Sequence, residues 1–150
     1  MTLIFIFLLF LNPFSENKPT CKCMPAKADE VPRGANMVIE IHLGKVKKLK
    51  GRVMLQDDTP AEEAIVEVFD YKKSDKGDLY NIPQLRERQT ACKVSKDGRF
   101  CFSNLPSGTY LLRVGTTHDG FDYTLIKVTL APRDKKSSNK EIEIPLQLGT

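Results

Sequence analysis

The segment from Ala91 to Val114 constrains the fold of this 150-residue chain more than any other part of the sequence. Apolar and polar residues alternate along it, and two short turns, Ser95–Gly98 and Pro106–Gly108, interrupt the alternation. A period of two is typical of strands that bury one face, and glycine supplies the positive φ that tight turns require. The segment therefore predicts a meander of three strands joined by two turns, in which Gly98 and Gly108 have structural roles.

The same alternation recurs in three other parts of the chain. Apolar residues occupy every second position from Met37 to Leu43, from Ile126 to Leu130 and from Ile142 to Leu148. About seven to eight short strands within residues 36–150 predict an all-β domain, an antiparallel Greek-key β-sandwich. A chain of 150 residues has room for one such domain.

Two phrases within these strands resemble those of carboxypeptidase regulatory-like domains. The first is an Asp-Gly-x-Phe turn followed by Leu-Pro-x-Gly-Thr-Tyr, here Asp97, Gly98, Phe100, Leu105, Pro106, Gly108, Thr109 and Tyr110. The second is a Gly-x-Val strand followed by a valine-rich strand, here Gly51, Val53, Pro60, Ala64, Val66 and Val68. The resemblance covers about residues 48–131. It implies a transthyretin-like (prealbumin-like) sandwich that serves as an accessory module and carries no catalytic residues.

The N-terminal region predicts export. Residues 1–14 contain no charged side chain, and Leu3–Leu11 is an unbroken apolar run. That run is too short for a membrane-spanning helix, which takes roughly 20 residues, and it is typical of a signal-peptide core. We therefore expect a signal peptide over residues 1–15 with an undetermined cleavage site, a leader or tether over 16–35, and the sandwich over 36–150. The protein would be secreted, periplasmic or in the cell envelope, and would contact a membrane only through an uncleaved signal segment.

Four cysteines indicate disulfides in an exported chain: Cys21, Cys23, Cys92 and Cys101. Three complete pairings exist, and the sequence does not choose among them. The spacing lacks the paired knuckles of a structural zinc site, so no metal is predicted.

The register of the predicted hairpin around Ser95–Gly98 bears on the pairing. A plain two-residue turn places Cys92 opposite Cys101, whereas a type I turn with a G1 bulge at Gly98 shifts the register. We prefer the bulged register because it keeps Lys93 out of the core. It makes Cys92 a buried small hydrophobe and leaves Cys101 on the outer face, available to pair with Cys21 or Cys23.

The formal net charge of +4 arises from 23 basic and 19 acidic residues that are interleaved along the chain. Nucleic-acid-binding proteins more often cluster their basic residues among aromatic ones, so no nucleic-acid partner is predicted. The densest basic stretch contains Lys48, Lys50 and Arg52, which alternation places on one face of a strand. We expect that face to be solvated, with contact to an anionic cell-surface polymer as the alternative.

Two loops are candidate binding sites. The long charged stretch from Asp70 to Arg88 is the candidate partner-binding loop, and its apolar and aromatic residues are Tyr71, Leu79, Tyr80, Ile82 and Leu85. The loop from Gly115 to Asp122 holds a polar set that could bind a cation or orient a ligand: His118, Asp119 and Asp122.

The sequence predicts a non-catalytic structural or interaction module. No nucleophile elbow, zinc-protease motif, phosphate loop or nucleotide-binding glycine fingerprint occurs. We therefore expect a protein or cell-surface partner and no cofactor. Carbohydrate binding is the alternative, because similar sandwiches are often grouped with carbohydrate-binding folds. A small hydrolase of transthyretin-like fold is the third hypothesis.

Overall fold

A computed structural model describes residues 24–27, 29–30, 32, 36–46, 48–71, 87–117, 120 and 122–147. For residues 36–39 and 42 it describes the backbone but not the side chains. Nine strands lie within these residues: β1 Met24–Pro25, β2 Asn36–Gly44, β3 Leu49–Met54, β4 Ile65–Asp70, β5 Arg88–Lys93, β6 Arg99–Phe102, β7 Gly108–Gly115, β8 Tyr123–Leu130 and β9 Ile142–Pro145. No helix formed by the described residues is long and apolar enough to cross a bilayer. The expected signal peptide lies outside the described residues.

The strands form two sheets that pack face to face. The large sheet has six strands in the order β1-β5-β4-β7-β8-β2, and the small sheet has three in the order β6-β3-β9. Alternate side chains of both sheets fill the space between them, among them Val53, Val66, Phe100, Leu112, Ile126 and Ile144. Burying one such side chain stabilises the fold by about 1.5–3 kcal/mol. The predicted all-β sandwich is confirmed.

Both sheets are mixed rather than purely antiparallel. β2 runs parallel to β8, and β3 runs parallel to β9. Two of the connections from the large sheet to the small sheet, β2 to β3 and β8 to β9, lie at the same end of the sandwich, where Val46 and Ser138 form a parallel bridge. β2 and β8 therefore both run towards this end, and β3 and β9 both run away from it.

The turn at Ser95–Gly98 forms, but the strands on either side of it do not pair with each other. The backbone N–H of Gly98 donates to the Ser95 carbonyl at 2.8 Å, and Gly98 has a φ of 76°. β5 then pairs with β4 and β1, whereas β6 pairs with β3 in the other sheet. The predicted three-strand meander is therefore wrong, because the chain changes sheets at this turn and again before β7.

Gly51 allows β3 to pack closely against both of its neighbours in the small sheet. A Cβ atom at Gly51 would lie 2.7 Å from the Ile142 side chain and 3.0 Å from the Phe100 ring. β3 therefore fits between β6 and β9 only with glycine at this position, and the Phe100 ring occupies the space that a side chain would need. This contact links residues far apart in the sequence, which local alternation does not reveal.

The cysteines of β5 and β6 lie in different sheets, so the strand pairing of both hairpin registers is wrong, although the side-chain orientations of the preferred register are found. Cys92 is buried and points into the core, and Cys101 is half-buried on the opposite side of its strand from Phe100 and Phe102. Both Cys92 and Cys101 are disulfide-bonded, so Cys92 is buried as expected but is not a free thiol. The predicted partners of Cys101, Cys21 and Cys23, lie outside the described residues.

Candidate interaction surface

The candidate partner-binding loop is described only at its base. The backbone N–H of Tyr71 donates to the Thr109 carbonyl at 3.2 Å, which extends the pairing of β4 with β7 by one residue. The Lys127 ammonium lies 4.6 Å from the centroid of the Tyr71 ring and 3.6 Å from Glu40. One face of the Tyr71 ring is therefore occupied by the protein's own cation. The other candidate residues of this loop lie outside the described residues: Leu79, Tyr80, Ile82 and Leu85.

The second candidate loop is described at Asp122 but not at His118 or Asp119. Asp122 is half-buried, and its backbone N–H donates to the Gln147 carbonyl at 3.0 Å. Within the described parts of the chain, no three His, Cys, Asp or Glu side chains are arranged to hold a metal ion. The cation site at this loop stays a prediction.

The outer face of the large sheet carries a buried ionic cluster. Glu67 lies in the middle of β4, directly opposite Arg113 of β7, and its side chain has no exposed surface. Arg113 Nε donates to Glu67 Oε2 at 2.5 Å and Arg113 Nη2 donates to Oε1 at 3.1 Å, while Arg88 Nη1 donates to Oε1 at 3.2 Å. The Arg113 guanidinium also lies 5.2 Å from the Phe69 ring centroid. These contacts supply the partners that a buried carboxylate needs.

Arg88 also holds the segment that precedes β2. Arg88 Nη1 donates to the Glu30 carbonyl and Nη2 to the Lys27 carbonyl, each at 3.1 Å. The backbone N–H of Ala26 donates to the Ala91 carbonyl at 3.3 Å, next to the pairing of β1 with β5. The residues that sequence analysis assigns to a leader or tether therefore include a strand and a set of hydrogen bonds to the large sheet.

Pro32 extends this covering across the sheet. Pro32 is buried, and a Cβ atom on Gly115 of β7 would lie 2.9 Å from its Cβ and 2.9 Å from the Cβ of Tyr123. A second apolar cluster lies on the same outer face and consists of Phe69, Leu111, Tyr123 and Leu125. All four are less than a tenth exposed. This face is therefore closed to solvent along the centre of the sheet.

The outer face of the small sheet is open and charged. Glu141 accepts from Arg99 at 3.1 Å and lies 3.3 Å from the Lys50 ammonium, and Arg52 Nε donates to the Asp97 carbonyl at 3.0 Å. The side chains of Arg99 and Glu141 are 51% and 41% exposed. The solvated outer face predicted for β3 is therefore observed, and neighbouring carboxylates neutralise part of its positive charge.

Sequence reasoning missed the ionic cluster, although two strands carry a signal for it. Glu67 and Arg113 each interrupt a run that is otherwise apolar, Ile65–Phe69 and Leu111–Val114. A continuous apolar run indicates a strand that is buried on both faces. A charged residue inside such a run must find an opposite charge, because an unpaired buried charge is strongly destabilising.

Comparisons with known proteins support a β-sandwich domain. A family model for "ER membrane protein complex subunit 7, beta-sandwich domain" matches residues 47–146. No curated protein matches the chain. Among solved structures, 3-chlorocatechol 1,2-dioxygenase from Rhodococcus opacus 1CP aligns with a TM-score of 0.40 and 11% identity, over 85% of this chain and 63% of the dioxygenase chain. The chain thus spans less than two thirds of that enzyme's length, and a likeness this low carries no argument about activity.

The resemblance to carboxypeptidase regulatory-like domains is supported only as far as the sandwich itself, since the matching family is a different one. The match begins just before β3 and ends just after β9, so it includes the whole small sheet and β4, β5, β7 and β8 of the large sheet. Because the model covers two thirds of the sequence, the chain belongs to the family of the ER membrane protein complex subunit 7 β-sandwich domain.

Proposed function

We propose that this chain is a non-catalytic protein-binding module of a membrane protein complex in the endoplasmic reticulum. The match of residues 47–146 to the family carries the proposal, because that family is named for a subunit of such a complex. A subunit of this kind needs a stable fold and an exposed surface for its neighbours. The sandwich supplies the first, and its open, charged surfaces supply the second.

The cysteine chemistry supports a position on the lumenal side. Disulfides persist in the oxidising lumen of the endoplasmic reticulum and are rare in the cytosol, and both Cys92 and Cys101 are disulfide-bonded. The apolar run Leu3–Leu11 supports entry into the secretory pathway. A compartment of that pathway fits the family, whereas a periplasmic or cell-envelope location does not.

We also propose that Cys101 pairs with Cys21 or Cys23, which would tie the N-terminal segment to the small sheet. Peptide mapping of the unreduced protein tests this pairing. A cross-linked peptide that joins residue 101 to either N-terminal cysteine supports it. A peptide that joins Cys101 to Cys92 contradicts it.

The closed outer face of the large sheet restricts where a partner can bind. Glu67, Phe69 and Leu125 on that face are already buried by the protein itself. Partners therefore contact the small sheet's outer face or the loops at the ends of the sandwich. The loop between β4 and β5, which begins at Tyr71, remains a candidate contact.

Carbohydrate binding gains no support from the described tyrosines. Sugar platforms stack on exposed aromatic faces. Tyr110 and Tyr123 are 5% and 8% exposed, and Lys127 lies over the ring of Tyr71. The described tyrosines therefore do not favour the carbohydrate alternative.

Native electrophoresis of the tagged full chain, extracted from its host membranes in a mild detergent, tests the proposed function. We expect the chain to migrate in an assembly far larger than its own mass of 16.9 kDa. A variant with an unfolded core, Val53→Asp, should be absent from that assembly. Migration of the wild-type chain as a monomer would contradict the proposal.

A further inference from the structure

Two connections at one end of the sandwich are rich in basic residues. We call this set the basic end: Lys45, Lys48, Arg133, Lys135, Lys136 and Lys140, in the β2–β3 and β8–β9 connections. These connections contain only two acidic residues, Asp134 and Glu141. At the opposite end, the described loop residues are mostly acidic: Asp57, Asp58, Glu62, Glu63, Asp97 and Asp122, with Lys96 as the one cation. The β4–β5 connection also lies at the basic end, and Asp70 and Glu87 at its two ends are acidic, so the excess of positive charge belongs to the β2–β3 and β8–β9 connections.

The loops of the basic end are firmly attached to the sandwich. Val46 is 3% exposed and belongs to the core, and it bridges to Ser138 of the other loop. The backbone N–H of Ser138 donates to the Lys45 carbonyl at 2.9 Å. Arg133 Nη2 donates to the carbonyls of Ser103 and Leu105 at 3.1 and 2.8 Å. These contacts fix the positions from which the basic side chains project.

Both carboxylates of these connections already have partners. Asp134 Oδ2 accepts from the Lys45 ammonium at 2.6 Å and its Oδ1 accepts from the Lys136 backbone N–H at 2.8 Å. The hydrogen bond from Lys45 is the main cause that lowers the pKa of Asp134, so the carboxyl is ionised at neutral pH. Glu141 contacts Lys50 and Arg99.

Four ammonium groups of the basic end are left without a carboxylate. These groups belong to Lys48, Lys135, Lys136 and Lys140. Within the described chain, no carboxylate oxygen lies within 4.0 Å of any of them. All four residues are exposed. Uncompensated positive charge on short, anchored loops attracts an anionic partner and accelerates its association.

A shallow groove of about 440 Å³ lies between the β6–β7 and β8–β9 connections, lined by Asn104, Leu105, Pro106, Ser107, Pro132 and Arg133. Its proline rings and polar groups suit an extended polypeptide. A bilayer contact normally adds inserted apolar side chains to basic ones. The one exposed large hydrophobic residue of the described chain is Met24 in β1, far from the basic end. For the described residues of the basic end, a protein partner therefore fits better than a lipid surface does.

We propose that the basic end docks an acidic protein segment of the membrane complex, with carboxylates on Lys48, Lys135, Lys136 and Lys140 and the segment's backbone along the groove at Arg133. This inference rests on the proposed function, because it names which surface of the module binds its assembly. Carboxylates at such a rim contribute mainly to the association rate and make binding salt-dependent.

Charge reversal at matched positions tests the docking in the tagged full chain. The test variant is Lys135→Glu with Lys140→Glu. The control is Lys27→Glu with Lys96→Glu, which changes the net charge equally at exposed positions outside the basic end. We expect the test variant to enter the detergent-extracted assembly about tenfold less than wild type, and the control to enter it normally. Thermal unfolding midpoints of both variants within about 3 °C of wild type would show that folding is intact.

The outcomes separate this inference from the proposed function. Wild-type chain that migrates alone contradicts the proposed function. Wild-type chain in the assembly together with an equally well incorporated test variant overturns the docking, and so does an equal loss of both variants. Sedimentation with vesicles of 70% phosphatidylcholine and 30% phosphatidylserine is the lipid arm. Vesicle binding that the test variant loses, with its assembly unaffected, would assign the basic end to lipid and overturn the proposal.

Discussion

On the outer face of the large sheet, the side chains of Glu67 and Arg113 are 0% and 7% exposed, whereas Glu141 and Arg99 on the small sheet are 41% and 51% exposed. Both pairs make hydrogen bonds at 3.1 Å. The large-sheet pair uses two guanidinium nitrogens and the small-sheet pair uses one, and their surroundings differ even more. The chain itself closes one face of the sandwich, with Pro32 of the N-terminal segment against Gly115, and leaves the other face in water.

The difference shows how surroundings set the energetic weight of an ion pair. An exposed pair contributes about 0–1 kcal/mol, because water screens it and the long side chains lose entropy. Removing one partner of a buried pair costs about 3–5 kcal/mol, because the other charge stays buried without compensation. The large-sheet pair therefore supports the fold, and the small-sheet pairs mainly shape a surface.

The substitutions Glu67→Gln and Glu141→Gln should show the largest difference between the two faces. Replacing Glu67 leaves the Arg113 guanidinium buried without its carboxylate, so we expect the free energy of unfolding to fall by about 3–5 kcal/mol. The matched change at Glu141 should cost less than about 1 kcal/mol. Guanidinium chloride denaturation measures both. Equal losses for the two variants would show that burial does not distinguish the pairs.

Arg88→Ala should release the segment that covers the large sheet. The change removes hydrogen bonds to Glu67 and to the carbonyls of Lys27 and Glu30. Hydrogen bonds to charged groups contribute about 1.5–3 kcal/mol, so we expect a loss of about 2–3 kcal/mol. Faster amide exchange at Ala26 should accompany it. Arg52→Ala on the small sheet is the control, and a similar loss there would contradict the assignment of Arg88 as the residue that holds this segment.

Gly115→Ala measures how tightly the covering packs. The added methyl would lie 2.9 Å from the Cβ atoms of both Pro32 and Tyr123, closer than side chains normally approach. Overpacking of this kind should lower the unfolding free energy by about 1–2 kcal/mol. A denaturation midpoint equal to that of wild type would indicate that the outer face of the large sheet is loosely packed at Gly115.

The smallest expected effect on stability is that of Asp134, and it depends on pH. The hydrogen bond from Lys45 lowers its pKa in the folded protein below the ordinary value of 3.8. Its contribution to stability is therefore present above pH 3.8 and is lost as the pH falls through the folded pKa. The difference between the unfolding midpoints of wild type and Asp134→Asn should hold down to about pH 4 and shrink as the pH falls from there to about pH 2. A constant difference across that window would contradict the linkage.

The sequence predicted the sandwich and most of its strands because burial of one face imposes alternation locally, as at Ile142–Leu146. It did not predict the sheet to which β6 belongs. β6 pairs with β3, with Phe100 opposite Gly51, and this pairing joins residues too far apart in sequence for a local pattern to indicate it.

The candidate surfaces were predictable to a different extent. The solvated face of Lys50 and Arg52 follows from alternation alone. The basic end does not, because it combines loops that are far apart in sequence and are brought together by the bridge of Val46 with Ser138 and the ion pair of Lys45 with Asp134.

Lysine acetylation of the full chain, free and within the detergent-extracted assembly, tests the central claim most directly. The claim is that the protein's own chain closes the large-sheet face and leaves the basic end for its partner. We expect Lys48, Lys135 and Lys140 to lose reactivity in the assembly, and Lys27, on the segment over the large sheet, to keep it. Protection of Lys27 with unchanged reactivity at Lys135 and Lys140 would contradict the account.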